Sequence, residues 1–138
     1  MDNYEKIYFE NYYEIDDNFT FSLKDFNKVK NNSLFKKDFA VITAFNPQNE
    51  LLSCIKNQDR HILFRKDIES KKLEFLDARG YLDDHSEDGY LIFNISFENS
   101  IKLALKYEQY AIFYNHCQTK KIGYYMCSSK LPIIEKTY

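Results

Sequence analysis

The fold is decided by residues 38–47, which read Asp38-Phe39-Ala40-Val41-Ile42-Thr43-Ala44-Phe45-Asn46-Pro47. The middle of this stretch is apolar at consecutive positions and rich in β-branched side chains, a pattern typical of a strand covered on both faces. Asn46-Pro47 is a turn signal and ends the run. We therefore predict a central strand over Phe39–Phe45 that delivers the polar side chains of Thr43 and Asn46 to an edge of a sheet.

Two main helices are predicted downstream of this strand. The first runs from about Ser53 to Glu69, and its apolar side chains form a stripe expected to face the core, namely Leu52, Ile55, Ile62 and Leu63. Asn57 and Arg60 share a different face of this helix and can meet each other. The second helix begins after the N-cap Ser96 and ends near residues 107–109. Its expected core residues are Phe97, Ile101, Ala104 and Leu105.

The other regular segments are predicted strands separated by polar turns. Phe19–Leu23 alternates, 73–79 is closed by Gly80, and 90–95 follows an acidic turn over 83–89. A hairpin is expected from 111–114 and 122–127, with an edge strand in the tail, whereas residues 4–9 fit a helix or a strand. This order predicts an α+β fold, with a mixed, largely antiparallel sheet of about five or six strands and two main helices packed on it.

The length of 138 residues predicts a single domain. We divide it into an N-terminal extension over 1–38, with one strand and a Lys-rich loop, a core over 39–127 and a tail over 128–138. The loop, Lys24–Lys37, is interpreted as a solvated and mobile insertion. The formal net charge of −2 provides no overall field that would attract nucleic acid or an anionic membrane.

The chain shows no sign of export or membrane insertion. Its N-terminus lacks a basic segment followed by an apolar one, and no apolar run approaches the roughly 20 residues that a membrane helix needs. Three cysteines, an odd number, suit free thiols in a reducing compartment. We therefore expect a soluble cytoplasmic protein without a membrane partner. The high Tyr content is compatible with a homo-oligomer, and the partners stay unknown.

Four separated pieces of the sequence resemble, in the same order, the pattern of DUF3293, a bacterial domain family of unknown function. The pieces are Thr43-Ala44-Phe45-Asn46-Pro47, Asn57-x-x-Arg60-x-x-Leu63, His85-Ser86-Glu87 and Tyr107-Glu108-Gln109-Tyr110-Ala111-Ile112. Phe45 and His85 stand where the family has Trp. The resemblance implies membership of the fold and a set of positions of interest, but no activity. These positions are Thr43, Asn46, Asn57, Arg60, Glu87 and Gln109.

If these six polar residues converge, they predict a ligand pocket at the end of the central strand. Arg60 would hold a carboxylate or phosphate bidentately, with Asn46 and Asn57 fixing its orientation and Glu87 acting as a base or counter-ion. The structural alternative is simpler. Asn46 then begins a turn, Arg60 and Glu87 tie a helix to a loop, and Gln109 satisfies loop backbone groups.

Binding without catalysis is the favoured function, because no coherent catalytic set is present in the sequence. An enzyme or an anionic-ligand binder based on Arg60 and Glu87 is the alternative. A second alternative, less favoured, is nucleic-acid binding through Lys24–Lys37, which lacks interleaved aromatic residues. His116, Cys117 and Cys127 match no recognised zinc spacing, so no metal or cofactor is expected.

Overall fold

One antiparallel sheet of eight strands runs through the protein, in the order β2-β1-β4-β5-β3-β6-β7-β8, and curls into a half-barrel. A computed structural model describes residues 1–138. The helices are α1 Asn3–Glu10, α2 Cys54–Ser70 and α3 Phe97–Lys106. The strands are β1 Tyr12–Ile15, β2 Phe19–Ser22, β3 Phe39–Thr43, β4 Phe75–Leu82, β5 His85–Phe93, β6 Ala111–His116, β7 Lys121–Met126 and β8 Pro132–Thr137.

The predicted α+β class is confirmed, but the predicted number of strands is wrong. Eight strands form instead of five or six, and every pair is antiparallel. Two strands, β1 and β2, precede residue 39 where one was predicted, and the ambiguous residues 4–9 lie in α1. The tail forms the edge strand β8, as predicted. None of the helices combines the length and the hydrophobicity that crossing a membrane requires.

β3 lies inside the sheet, between β5 and β6, and both of its faces are buried. Ala40 and Ile42 point toward α2 and α3, and we call this side of the sheet the helix face. Phe39 and Val41 point to the opposite side, which α1 and residues 24–37 cover and which we call the α1 face. Two apolar cores therefore share one sheet, which explains why the residues of β3 are apolar at consecutive positions.

The segment Lys24–Lys37 is more than a solvated loop. It contains two short 3-10 helices, Phe26–Lys28 and Ser33–Lys36, and its lysines are exposed as expected. Phe26 and Phe35, however, are buried in the core of the α1 face. The sequence does not predict this burial, because the two aromatic residues lie among lysines in an irregular segment. Such a segment shows no periodic pattern of apolar residues that would indicate a buried side.

The predicted acidic turn over 83–89 is wrong. Only Asp83 and Asp84 form the turn, since Leu82 pairs with His85, and Gly80 lies within β4 instead of closing it. As a consequence Glu87 and Asp88 are strand residues whose side chains leave opposite faces of β5. Glu87 points to the α1 face, because it lies in the same row of paired residues as Tyr13, which packs on that face.

The predicted core stripe of α2 is also wrong. Ile55, Ile62 and Leu63 are 75%, 52% and 60% exposed, whereas Phe64 and Ile68 are buried together with the polar Asn57. In α3, Ile101 and Ala104 are buried as predicted, but Leu105 is exposed and Leu103 takes its place. α2 is thus rotated so that its polar positions face the protein.

Candidate functional site

A cavity of about 360 Å³ lies on the α1 face, at the end of β3. Four of the six predicted site residues line it: Thr43, Asn46, Glu87 and Gln109. Tyr8 of α1 and Asn11, the residue that follows this helix, cover the cavity, and apolar side chains such as Val41 and Phe113 form much of its wall. The structure therefore brings most of the predicted polar positions to one cavity.

The cavity exists because small residues occupy the middle of the sheet at this point. Tyr13 of β1 pairs with Gly80 of β4, which in turn pairs with Glu87 of β5. Neighbouring strands lie about 4.8 Å apart, so Tyr13 and Glu87 stand on backbones separated by roughly 10 Å with no side chain between them. A Cβ atom at Gly80 would come within 3.1 Å of the Tyr13 ring.

The next row on this face is equally small, with Ala78 paired to Gly89 and Gly89 paired to Thr43. Gly89 also permits a close approach of β3, because a Cβ atom there would lie 2.5 Å from the carbonyl oxygen of Ile42. Atoms at that separation would overlap, so any other residue would push the strands apart. Gly89 therefore allows β3 and β5 to lie close together beside the cavity.

Asn46 organises the polar end of the cavity. Its φ of 47° places it in the left-handed region, which Asn tolerates better than most residues. Its backbone N–H donates to Asn57 Oδ1 at 2.9 Å, and its own Oδ1 accepts from Asn57 Nδ2 and from the Leu52 N–H, each at 2.9 Å. The remaining group, Nδ2, donates to Glu87 Oε2 at 3.0 Å. Asn46 therefore fixes one oxygen of the Glu87 carboxylate.

Glu87 has a second contact on the same oxygen. Nε2 of the exposed His85 lies 3.0 Å from Oε2, whereas Oε1 has no hydrogen-bond partner within the chain. The Glu87 side chain is 25% exposed and lines the cavity. One carboxylate oxygen is thus held in place and the other is free to accept.

Gln109 and Thr43 are held by backbone groups. Gln109 Nε2 donates to the carbonyl oxygens of Phe45 and Tyr107, at 3.0 and 3.1 Å, which leaves its own Oε1 without a partner in the chain. Thr43 Oγ1 donates to the Asp88 carbonyl at 2.6 Å and accepts from the Phe45 N–H at 3.0 Å. The Thr43 hydroxyl proton is therefore already committed to a backbone carbonyl, whereas Gln109 keeps an acceptor without a partner.

Arg60 lies outside the cavity lining. Its guanidinium donates to the carbonyl oxygen of Ala44 at 2.6 Å and to that of Tyr107, and pairs with Glu108 at 3.5 Å. It therefore joins the end of β3 to the end of α3. Asn57 is 6% exposed and supports Asn46 from behind. These two residues share the inward face of α2 and do not contact the cavity space.

Aromatic side chains form one wall of the cavity. The rings of Tyr8 and Tyr124 lie 4.5 Å apart, and Tyr124 packs against Phe113 at 4.9 Å between centroids. Asn11 Nδ2 donates to the Tyr124 hydroxyl at 3.0 Å. Burial raises the pKa of Tyr124 to about 12 and also raises the pKa of Tyr13, so both hydroxyls are neutral near pH 7.

Sequence reasoning did not include these aromatic residues or the two glycines in the site. One signal was present, since Tyr12-Tyr13 and Tyr124-Tyr125 lie in strands, where one member of each pair must face each side of the sheet. Nothing in the sequence indicates which strands are neighbours. The cavity therefore depends on pairings between β1, β4 and β5 that local patterns do not encode.

A second cleft, of about 610 Å³, lies beside α2 and has a different character. Acidic and basic side chains line it together, among them Asp77, Asp88 and Arg65, and Arg79 pairs with Glu14 at 3.6 Å. Nowhere in the protein do three His, Cys, Asp or Glu side chains form a group that could hold a metal ion. The first cavity, with its apolar wall and few polar groups, better matches a small-molecule site.

Comparison with protein families found one match. A family model described as "Protein of unknown function (DUF3293)" matches residues 42–112, just over half of the chain. This range includes the end of β3, both hydrogen-bonded asparagines, Glu87 and Gln109. Comparisons with curated proteins and with solved structures gave no match.

Proposed function

The chain belongs to the DUF3293 family, whose function is unknown, and we propose that it is a non-catalytic domain that binds a small molecule in the cavity on the α1 face. The observation that carries this proposal is the combination of an aromatic wall with two unpaired oxygen acceptors, Glu87 Oε1 and Gln109 Oε1. Pockets for small ligands commonly enclose about 300–1,000 Å³ and combine apolar walls with a few placed polar groups.

The polar groups of the cavity are held in position before any ligand binds. Asn46 fixes Glu87 through its Nδ2, and two backbone carbonyls fix the amide of Gln109. A site whose groups are already oriented loses less conformational entropy on binding, which favours affinity. This order supports a binding role, because it leaves Glu87 Oε1 and Gln109 Oε1 available to a ligand.

The lining favours binding over catalysis. It contains no Ser, Cys or Lys, and its one Thr hydroxyl already donates to a backbone carbonyl. The alternative of an anion held by Arg60 gains no support, because that guanidinium contacts backbone carbonyls outside the cavity.

Nucleic-acid binding through Lys24–Lys37 stays a separate prediction, which a steep loss of affinity with added salt would support. The odd number of cysteines supports a cytoplasmic location.

A screen of small aromatic fragments by ligand-observed NMR tests the proposal. Fragments should bind the wild type and lose most of their signal with Ala111→Phe, in which a ring fills space at the half-buried lining residue Ala111. Leu105→Phe is the matched control, since it adds a ring at a residue that is 46% exposed on α3. Thermal unfolding checks that both variants fold. Absence of binding, or binding that Ala111→Phe leaves unchanged, would overturn the proposal.

A further inference from the structure

The charges around the cavity specify the kind of ligand. Among its lining residues Glu87 is the only acidic side chain, and Lys and Arg are absent. The one basic candidate, His85, is 56% exposed and contacts the oxygen of Glu87 that Asn46 already binds. A carboxylate in a partly desolvated site favours a cation over an anion, because opposite charges attract more strongly where water is excluded.

The unpaired acceptors narrow the class further. Glu87 and Gln109 both line the cavity, and the Oε1 atom of each has no donor within the chain. A primary ammonium group offers three N–H donors and no acceptor. A carboxylate or phosphate offers acceptors only, and would meet these oxygens without any compensating cation.

The aromatic wall suits the other part of such a ligand. Tyr13 packs against Phe113 and Tyr124, at 5.2 and 6.1 Å between ring centroids, and all three residues line the cavity. Aromatic faces attract cations and also pack against flat apolar groups. The hydroxyls of Tyr13 and Tyr124 are neutral near pH 7, because the pKa of a tyrosine is about 10 and burial raises it further, so Glu87 carries the negative charge of the lining.

We propose that the cavity binds a primary amine with an aromatic or similar flat apolar group, its ammonium on Glu87 and Gln109 and its ring against Tyr13, Phe113 and Tyr124. This assignment rests on the proposed function, since it names the ligand class for the same cavity. It reverses the charge preference that a guanidinium at the site would impose.

Three probes of similar size and different charge test the assignment: phenethylamine, 2-phenylethanol and 3-phenylpropionate. Each is titrated by NMR at neutral pH into the wild type, Glu87→Gln and Asp88→Asn. Glu87→Gln keeps an acceptor for Asn46 but removes the charge. Asp88→Asn removes the same charge from the adjacent residue, whose side chain contacts Gln58 on the helix face.

We expect phenethylamine to bind the wild type at least about tenfold more tightly than the other two probes, since it alone carries a charge opposite to that of Glu87. Glu87→Gln should remove that advantage and Asp88→Asn should preserve it. Equal binding of amine and alcohol, or an advantage that survives Glu87→Gln, would overturn the ligand class while the cavity proposal stands. If none of the probes binds, the ligand class is overturned, and the fragment screen with Ala111→Phe decides the cavity proposal separately.

Discussion

The inward face of α2 and the rim of the cavity use buried polar residues in opposite ways. On α2, Arg60 and Asp67 direct their charged groups at partners within the protein, and Asn57 exchanges hydrogen bonds with Asn46. At the rim, Glu87 and Gln109 each use one polar atom for anchoring and keep another unpaired. The two groups of polar residues therefore differ in one respect. Those of α2 have their hydrogen-bonding groups paired within the protein, whereas Glu87 and Gln109 each keep an unpaired acceptor.

This difference assigns separate roles to the two regions. The residues of α2 hold β3, α2 and α3 together, so their replacement should lower stability more than it lowers ligand affinity. The rim residues are held by that framework and contribute little to it. Variants in the two regions should consequently affect different measurements.

The largest effect is expected from Asn57→Leu. This change leaves the buried Asn46 N–H without its acceptor and removes a donor from Asn46 Oδ1, at similar side-chain volume. Unsatisfied buried polar groups cost about 1–3 kcal/mol each, so we expect a loss of roughly 2–4 kcal/mol in the free energy of unfolding by urea. The neighbouring Gln58→Ala, which removes one long hydrogen bond to Asp88, should cost less than about 1 kcal/mol. If Asn57→Leu and Gln58→Ala lowered the free energy of unfolding equally, Asn57 would have no special part in stabilising the fold.

Arg60→Met should lower stability by about 2 kcal/mol, because the carbonyl oxygen of Ala44 loses its donor and that of Tyr107 loses one of two. Arg65→Met on the same helix is the control. Arg65 is 52% exposed, pairs with Glu69 at 3.6 Å and should contribute less than about 1 kcal/mol. If Arg60→Met lost ligand affinity and kept its stability, Arg60 would have a role in ligand binding and not in holding β3, α2 and α3 together.

Asp67 makes the stability of the α2 region dependent on pH. Burial acts to raise the pKa of its carboxyl, but hydrogen bonds from Lys106, Lys71 and Tyr107 outweigh it and lower the pKa to about 2. Because the folded pKa lies below the ordinary value, the stabilisation is full above about pH 4 and is lost as the pH falls toward 2.

Urea unfolding from neutral to acid pH checks this expectation. The wild type should lose on the order of 2 kcal/mol more than Asp67→Asn over that range, since the variant cannot titrate at this position. Asp59→Asn, at an exposed position on the same helix, serves as the control and should follow the wild type. If the free energies of unfolding of wild type and Asp67→Asn fell in parallel with pH, the Asp67 carboxyl would not be the source of the pH dependence.

The smallest effect on stability is expected from Glu87→Gln. The amide oxygen of Gln still accepts from Asn46 Nδ2, so the free energy of unfolding should change by no more than about 0.5 kcal/mol. Chemical denaturation measures it. A loss above about 2 kcal/mol would show that the Glu87 carboxylate belongs to the framework, as the structural alternative for this residue holds.

Local patterns were sufficient to predict several elements. The apolar run predicts a central strand over Phe39–Phe45, and β3 lies inside the sheet with both faces buried. Ser53 and Ser96 cap their helices by accepting from Lys56 and Asn99 N–H groups, which is the local chemistry that sequence reports well. The edge strand β8 also follows from its sequence, in which Pro132 begins the strand.

Tertiary interactions determine the features that local sequence patterns do not predict, such as the buried face of α2. Counting apolar residues predicted the wrong buried face of α2, because Asn57 and Arg60 find backbone partners at the end of β3 that only the assembled sheet provides. The sequence around Gly80 predicts a strand end, although Gly80 is an internal position of β4 over which the ring of Tyr13 lies. The six predicted polar residues are grouped near Asn46, but their division into framework and rim required their hydrogen-bond partners.

The most direct test of the account is a phenethylamine titration of the wild type, Glu87→Gln and Arg60→Met at neutral pH, followed by NMR. We expect Glu87→Gln to weaken binding by at least about tenfold and Arg60→Met to leave the affinity within about twofold of the wild type. The opposite pattern, with amine binding lost in Arg60→Met and retained in Glu87→Gln, would contradict the division between framework and rim.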